Sequence, residues 1–218
     1  MGRHRAAVSW SGGKDSCAAY QRVRHEFDVI AAITMFNEDG SRSRSHGLRP
    51  QIIDAQARRL GVRSLTQRCS WDTYDAAFGR ALAEAAALGV THVIFGDILF
   101  DEHREWAERQ SASQGLIAVE PLWKHSTADL YRELLSSGTR ARVVTVRTGT
   151  LDESYLGRDL AEDLLDDFVS RGVDPCGERG EYHTVVTSCS VFSHPLRVRP
   201  LGRAAISGCI AEDLVLDE

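Results

Sequence analysis

Residues 8–17 read Val8-Ser9-Trp10-Ser11-Gly12-Gly13-Lys14-Asp15-Ser16-Cys17 and follow the short apolar run Ala6-Ala7-Val8. A Ser-Gly-Gly turn lies between that run and a helix-like stretch over 16–23. Two adjacent glycines let an anion approach the backbone, because no side chain is in the way. The helix that follows aims its unpaired N–H groups and the positive end of its dipole at the same spot. Ser11 and Ser16 add hydroxyl donors, and Lys14 adds a cation. Each ingredient favours a phosphate or pyrophosphate. The pattern is not a Walker A loop, which needs a glycine where Val8 stands and a Ser or Thr where Asp15 stands. Nor is it G-x-G-x-x-G. The bland alternative is an ordinary glycine turn before a helix.

A chain of 218 residues suits one large domain, or one domain with a small appendage. Its 43% hydrophobic and 26% charged residues have the balance of a soluble globular protein. The formal net charge of -5 gives no global field toward nucleic acid or an anionic membrane. No stretch has the length needed to span a bilayer, and Ala6-Ala7-Val8 is too short for a signal-peptide core. Five scattered cysteines without a C-x-x-C pair suggest reduced thiols in a cytoplasm, not a disulfide framework or a zinc site.

Residues 28–36 are near-continuously apolar, as a strand buried on both faces should be. They end in the turn signal Asn37-Glu38-Asp39-Gly40 and the polar, basic stretch 41–47. That stretch reads as a solvated loop, but it leaves the C-terminal end of a strand, where parallel sheets place ligands. Pro50 opens a helix that Gly61 stops, and 62–67 is a weak strand. Residues 73–88 form a strong helix with Tyr74, Phe78 and Leu82 on one face. Strands at 92–95 and 116–119 flank a helix over 102–114. Ser126-Thr127-Ala128-Asp129 resembles a capping box before a helix that Gly138 stops, and 141–146 reads as a further strand. The alternation argues for a parallel sheet covered on both faces. After Gly149 the character changes. An amphipathic helix with Leu160, Leu164, Leu165 and Phe168 precedes a glycine- and charge-rich loop, followed by β-like runs at 185–192 and 204–210. No Pro/Ser linker separates the parts. We expect a 1–149 nucleotide-binding domain and a 150–218 acceptor-side region packed on it.

Ser11-Gly12-Gly13-Lys14-Asp15-Ser16 resembles the PP-loop of the ATP pyrophosphatases, which cleave ATP between the α and β phosphates. Gly96-Asp97-Ile98-Leu99 with Arg104 and Glu108, Pro121-Leu122-Trp123, Leu156-Gly157-Arg158 and Cys176-Gly177-Glu178-Arg179-Gly180-Glu181-Tyr182 resemble the diphthine–ammonia ligase family of that superfamily. The resemblance spans nearly the whole chain, in order. It implies an α/β fold, a doubly wound five-stranded parallel sheet with a small C-terminal α+β extension. It also implies ATP and Mg2+, adenylation of a small-molecule or protein-borne carboxylate with release of pyrophosphate, and attack by ammonia to give an amide. In the family reaction the carboxylate is diphthine, a modified histidine of elongation factor 2. Three departures look more like the bacterial branch, which has no diphthamide to make. His183 stands where a second glutamate is usual, Trp106 where an arginine is common, and Asp97 where alanine is common. They bear on the acceptor, not on ATP.

The resemblance assigns Ser11, Gly12, Gly13, Lys14, Asp15 and Ser16 to the phosphates, with Asp15 orienting a loop amide or helping to hold magnesium. It assigns Met35 and Gly96 to adenine and ribose, against plain core packing for Met35. Arg104 and Glu108, four apart, share a helix face. They are a surface ion pair, or Arg104 grips the α-phosphate or the acceptor carboxylate. Glu178 and Glu181 are placed on the acceptor side, binding ammonium or taking its proton. His183 is a candidate base by chemistry alone. Cys176 reads as a buried thiol. Metal ligands stay unassigned, a homodimer is left open, and neither nucleic acid nor membrane is expected as a partner. Two other functions compete. A PP-loop tRNA-modifying enzyme wants a basic face and, in its iron–sulfur forms, a C-x-x-C that is absent. A non-catalytic adenine-nucleotide-binding regulatory module explains residues 11–16 but not the acidic loop at 178–181.

Overall fold

The computed structural model describes residues 2–206 and 208–217. Strands and helices alternate through β1 (His4–Ser9), α1 (Lys14–Val23), β2 (Phe27–Phe36), α2 (Pro50–Leu60), β3 (Arg63–Arg68), α3 (Tyr74–Ala87), β4 (His92–Ile94), α4 (Asp101–Ser113) and β5 (Ile117–Val119). The five strands form one parallel sheet in the order β3-β2-β1-β4-β5. After β3 the chain crosses to the far side of β1, so the direction of winding reverses between β1 and β4. Open α/β sheets bind ligands in the crevice outside the strand ends at such a reversal.

Both faces of the sheet are covered, which explains the near-continuous apolar runs. Ala6 and Val8 of β1 face a core shared with Cys17 and Ala19 of α1 and Ile52 and Ile53 of α2. Ala7 faces the other way, into a core with Ile33, Leu65, Phe78, Leu82 and Ala107. Local chemistry sets the helix ends. Pro50 fills the first position of α2, where its missing N–H is no loss, and Gly61 stops the helix in the left-handed conformation (φ 70°).

Four strands form a second, antiparallel sheet in the order β7-β6-β9-β8, with β6 (Arg140–Arg147), β7 (Tyr182–Ser188), β8 (Val198–Ile206) and β9 (Cys209–Leu216). Between β5 and β6 lies α5 (Thr127–Ser136), whose N-terminal N–H of Asp129 is capped by the Ser126 hydroxyl at 3.3 Å. A 3-10 turn (Glu153–Tyr155) and α6 (Glu162–Ser170) separate β6 from β7. No helix among the described residues is long and apolar enough to cross a membrane.

The strand expected to continue the parallel alternation, at 141–146, is β6, and it belongs to the antiparallel sheet. Val143, Val144 and Val146 are fully buried there, and burial on both faces reads alike in either kind of sheet. A division of the chain at 149 therefore runs through the second sheet. The β-like run at 204–210 straddles the turn between β8 and β9, and its Ser207 lies outside the described residues. The apolar core of α1 and α2 continues without a break into Val143, Leu164, Phe168, Val185 and Val186, so the C-terminal region packs on the first unit.

Asp213 of β9 ties the segment between β2 and α2 to the second sheet. It accepts from Arg42 at 2.6 Å and from Arg49 at 2.7 and 2.6 Å. The two guanidiniums hold its carboxyl far below the usual carboxylate range. A carboxyl lowered in the folded state stabilises fully above its unfolded value, and that stabilisation is lost as pH falls below it. We predict that Asp213→Asn lowers the urea midpoint by a constant amount above pH 5. The difference from wild type should shrink as the pH drops below about 4, as measured by chemical denaturation across pH.

Candidate active site at the sheet switch point

Residues 11–16 follow β1 and enter α1, with Gly12 at φ 86° and Gly13 as the N-cap. The Ser11 hydroxyl accepts from the Gly13 N–H at 3.3 Å and lies 3.2 Å from the Ser16 hydroxyl. The rest of the loop's support comes from distant chain. The N–H of Val186 donates to the Gly12 carbonyl at 2.9 Å, and the Lys14 N–H donates to the Thr184 hydroxyl at 3.1 Å. Gln56 donates to both the Gly12 and the Val186 carbonyls, at 3.0 and 2.8 Å, and accepts from the Trp10 indole at 2.9 Å. Strand β7 therefore lies directly along the loop.

The two glycines are required by this packing. A Cβ on Gly12 would meet Leu48, Gln56 and Ile53 at 2.7 to 2.9 Å. A Cβ on Gly13 would meet the His46 ring at 2.2 Å and the Thr184 carbonyl at 3.1 Å. His46 comes from the segment after β2, and its Nδ1 donates to the Thr184 carbonyl at 2.7 Å. Burial lowers its pKa to about 4, and the nearby Lys14 ammonium adds to this, so the ring is neutral. His183 lies beside it in a tilted arrangement with ring centroids 4.7 Å apart, and burial, His46 and Lys14 push its pKa well down.

Lys14 is only 4% exposed. Its ammonium donates to Asp15 at 2.8 Å and to the Cys176 carbonyl, and lies 5.0 Å from the centre of the Tyr182 ring. Burial works against this charge, but Asp15 beside it, with Glu178, outweighs the penalty and holds the lysine's pKa above its ordinary value. Burial likewise drives the Cys176 thiol well above its usual range, in keeping with a structural thiol.

The loop at 174–182 closes over this pair. Glu178 accepts from the Ile98 N–H at 3.3 Å. Burial, with Asp15 and Asp97 adding to it, pushes its carboxyl up to about 7. Glu181 is 5% exposed, and both its oxygens are engaged, accepting from the N–H groups of Asp174 (3.3 Å) and Arg179 (3.0 Å). It braces the loop. Gly96, at the end of β4, fits flush against the glycine loop, since a Cβ there would meet the Asp15 and Ser16 backbone at 2.8 to 3.0 Å. Met35 is 6% exposed within the core that faces α3, so its side chain packs internally.

Arg104 and Glu108 pair at 2.8 Å on the outer face of α4, and Arg104 also reaches Glu120 at 3.2 Å. Asp97 pairs with His103 at 3.3 Å. Trp106, standing where the family commonly has arginine, donates to Asp75 at 2.8 Å and packs against Tyr74 and Phe78, so it ties α3 to α4. The structure thus brings the glycine loop, Gly96 and Glu178 close together at the switch point, sets the Arg104–Glu108 pair against Glu120 after β5, and leaves Met35 in the core. Reading the sequence missed His46, Gln56, Thr184 and Glu120. Glu120 alone had a local signal, an acidic residue directly after a parallel strand.

Two family models cover this architecture in order: the diphthamide synthase N-terminal domain over residues 4–118, and the diphthamide synthase C-terminal domain over 126–209. The chain belongs to the diphthamide synthase family. It is 28% identical over 220 residues to the diphthine–ammonia ligase of Rattus norvegicus, covering 89% of this chain and 82% of the relative. The Homo sapiens diphthine–ammonia ligase is 27% identical with the same coverage. A solved structure described as a predicted subunit of tRNA methyltransferase, from Methanocaldococcus jannaschii, aligns with a TM-score of 0.44 at 15% identity, covering 85% of this chain and 98% of that one.

If His46 is what forbids a side chain at position 13, the two positions must be energetically coupled. Gly13→Ala should destabilise the protein by about 1–3 kcal/mol through overpacking. In the double variant with His46→Ala the losses should be sub-additive by at least about 0.5 kcal/mol. A double-mutant cycle by urea denaturation measures this.

Proposed function

We propose that this chain is an ATP-dependent carboxylate–ammonia ligase. It adenylates a carboxylate with release of pyrophosphate and then passes the acyl group to ammonia. The acceptor is diphthine, as in the names of its relatives, or another carboxylate. One observation carries the reading: the family-specific loop at 174–182 and the glycine loop form a single constellation, with the Lys14 ammonium bonded to Asp15 and to the Cys176 carbonyl and Glu178 seated on the turn after β4.

In-line attack on the α-phosphorus needs the β and γ phosphates held while charge builds on them. The N-terminus of α1, Ser11, Ser16 and Lys14 supply donors on one side, and Gly96 lies flush against Asp15 and Ser16 beside them. Among the described residues no three His, Cys, Asp or Glu side chains are grouped to hold a metal ion. Magnesium carried on ATP needs only one or two carboxylates. Asp15 and Glu178 fit that part, since Asp15 helps raise the Glu178 carboxyl and a divalent cation would relieve the repulsion. Magnesium would there neutralise phosphate charge. Arg104, set against Glu120 after β5, has a guanidinium suited to the acceptor carboxylate.

Because the loop is not a Walker A loop, turnover should yield AMP and pyrophosphate, followed by mass spectrometry with diphthine-bearing elongation factor 2 and with a panel of small carboxylic acids. ADP and phosphate as the only products would refute the reading. Glu178→Gln should lower AMP formation about 100-fold, of the order of a positioned acid or base, and should raise the magnesium concentration needed for half-maximal rate. Glu181→Gln should act mainly on thermal stability.

A further inference from the structure

Glu120 directly follows β5, at the C-terminal edge of the parallel sheet. Its side chain is 6% exposed. One carboxylate oxygen, Oε2, pairs with Arg104 at 3.2 Å. The other, Oε1, is buried and has no hydrogen-bond partner. A carboxylate oxygen left unpaired out of water is costly, and it asks for a donor. Arg104 lies against Glu120, and Glu108 from α4 and Asp97 from the turn after β4 are near enough to act on its charge. Asp97 also acts on the charge of Glu178, which accepts from the Ile98 N–H, and it pairs with His103 of α4 at 3.3 Å. Arg104 is already shared, since its Nε lies 2.8 Å from Glu108 and its guanidinium sits 5.4 Å from the centre of the Trp123 ring. The corner therefore holds three carboxylates against the Arg104 guanidinium and the His103 ring on Asp97, with one buried acceptor free. A small cation that donates several hydrogen bonds matches it.

We propose that Glu120 Oε1 binds the nitrogen nucleophile as ammonium and takes its proton. The assignment rests on the ligase reading for its chemistry, but not for the binding site itself. Glu120 accepts one proton from ammonium, and the freed lone pair forms the C–N bond at the carbonyl carbon of the acyl adenylate. The bond from that carbon to the phosphate oxygen breaks, and its electron pair leaves with AMP. The second proton lost by nitrogen goes to solvent. Burial raises the Glu120 carboxyl to about 7, with Glu108 and Asp97 adding to the rise against the pull of Arg104, which suits a base working near neutrality.

Titration of the whole protein with 15N-labelled ammonium chloride, against sodium chloride of equal ionic strength, tests the site without turnover. Wild type at pH 8 should broaden the ammonium resonance saturably, and the effect should fade as the pH drops below 7 and protonates Glu120. Glu120→Gln, which can still accept from Arg104, should abolish the broadening. Absence of saturable broadening in wild type, or its persistence in the variant, would overturn the proposal. In turnover with diphthine-bearing elongation factor 2, Glu120→Gln should cut kcat/KM for ammonium about 100-fold and depress ATP–pyrophosphate exchange far less. Equal losses in both would make Glu120 a support for Arg104 only. If wild type catalyses no exchange with any carboxylate, the ligase reading fails, while the ammonium titration still decides the site.

Discussion

Everything at the switch point depends on one contact, strand β7 lying along the loop that follows β1. The Val186 N–H closes on the Gly12 carbonyl, the Thr184 hydroxyl takes the Lys14 N–H, and the Cys176 carbonyl takes the Lys14 ammonium. An unpaired buried backbone group is expensive. These bonds satisfy the loop from outside, because a tight glycine turn cannot satisfy itself. Gln56 completes the join by bonding the loop and the strand together. The C-terminal sheet is thus part of the loop's construction, more than a cover laid across a finished crevice.

That contact changes what the glycines mean. Read from sequence, Gly12 and Gly13 keep space clear for an anion. In the fold the space beside them is filled by protein, with Leu48 and Ile53 against Gly12 and His46 against Gly13. Gly96 is different, because its missing side chain lets β4 come flush against the glycine loop at Asp15 and Ser16. The same residue type thus answers to internal packing at 12 and 13 and to close strand–loop approach at 96. A substitution at 13 would report on folding before it reported on any ligand.

What was legible in the sequence is what short-range chemistry dictates. The strand–helix alternation through residue 119, Pro50 opening α2, Gly61 closing it and Ser126 capping α5 all follow from residues within a few positions of each other. The glycine loop stood out by type and spacing, Gly96 and the acidic loop only through the family resemblance, and the three converge. The seat of β7 was not legible, because its partners lie some 170 residues apart in the chain (Lys14 and Thr184 are separated by 170). The membership of β6 was missed for a related reason, since apolar periodicity gives burial but not the partner strand. Glu181 looked chemically active in sequence. Its oxygens turn out to be engaged by backbone N–H groups of its own loop, a role that only three-dimensional distances reveal.

The pairing of Gly12 with Val186 also orders events in time. The glycine loop is synthesised well before the strand that shapes it, since Lys14 and Thr184 are 170 positions apart. Contacts between such distant positions close late in folding, after the loop-closure entropy between them has been met. Until β7 arrives, the Gly12 carbonyl and the Lys14 N–H lack the partners they have in the fold. A ligand that came earlier would meet an incomplete loop, and the loop's support would come only with β7.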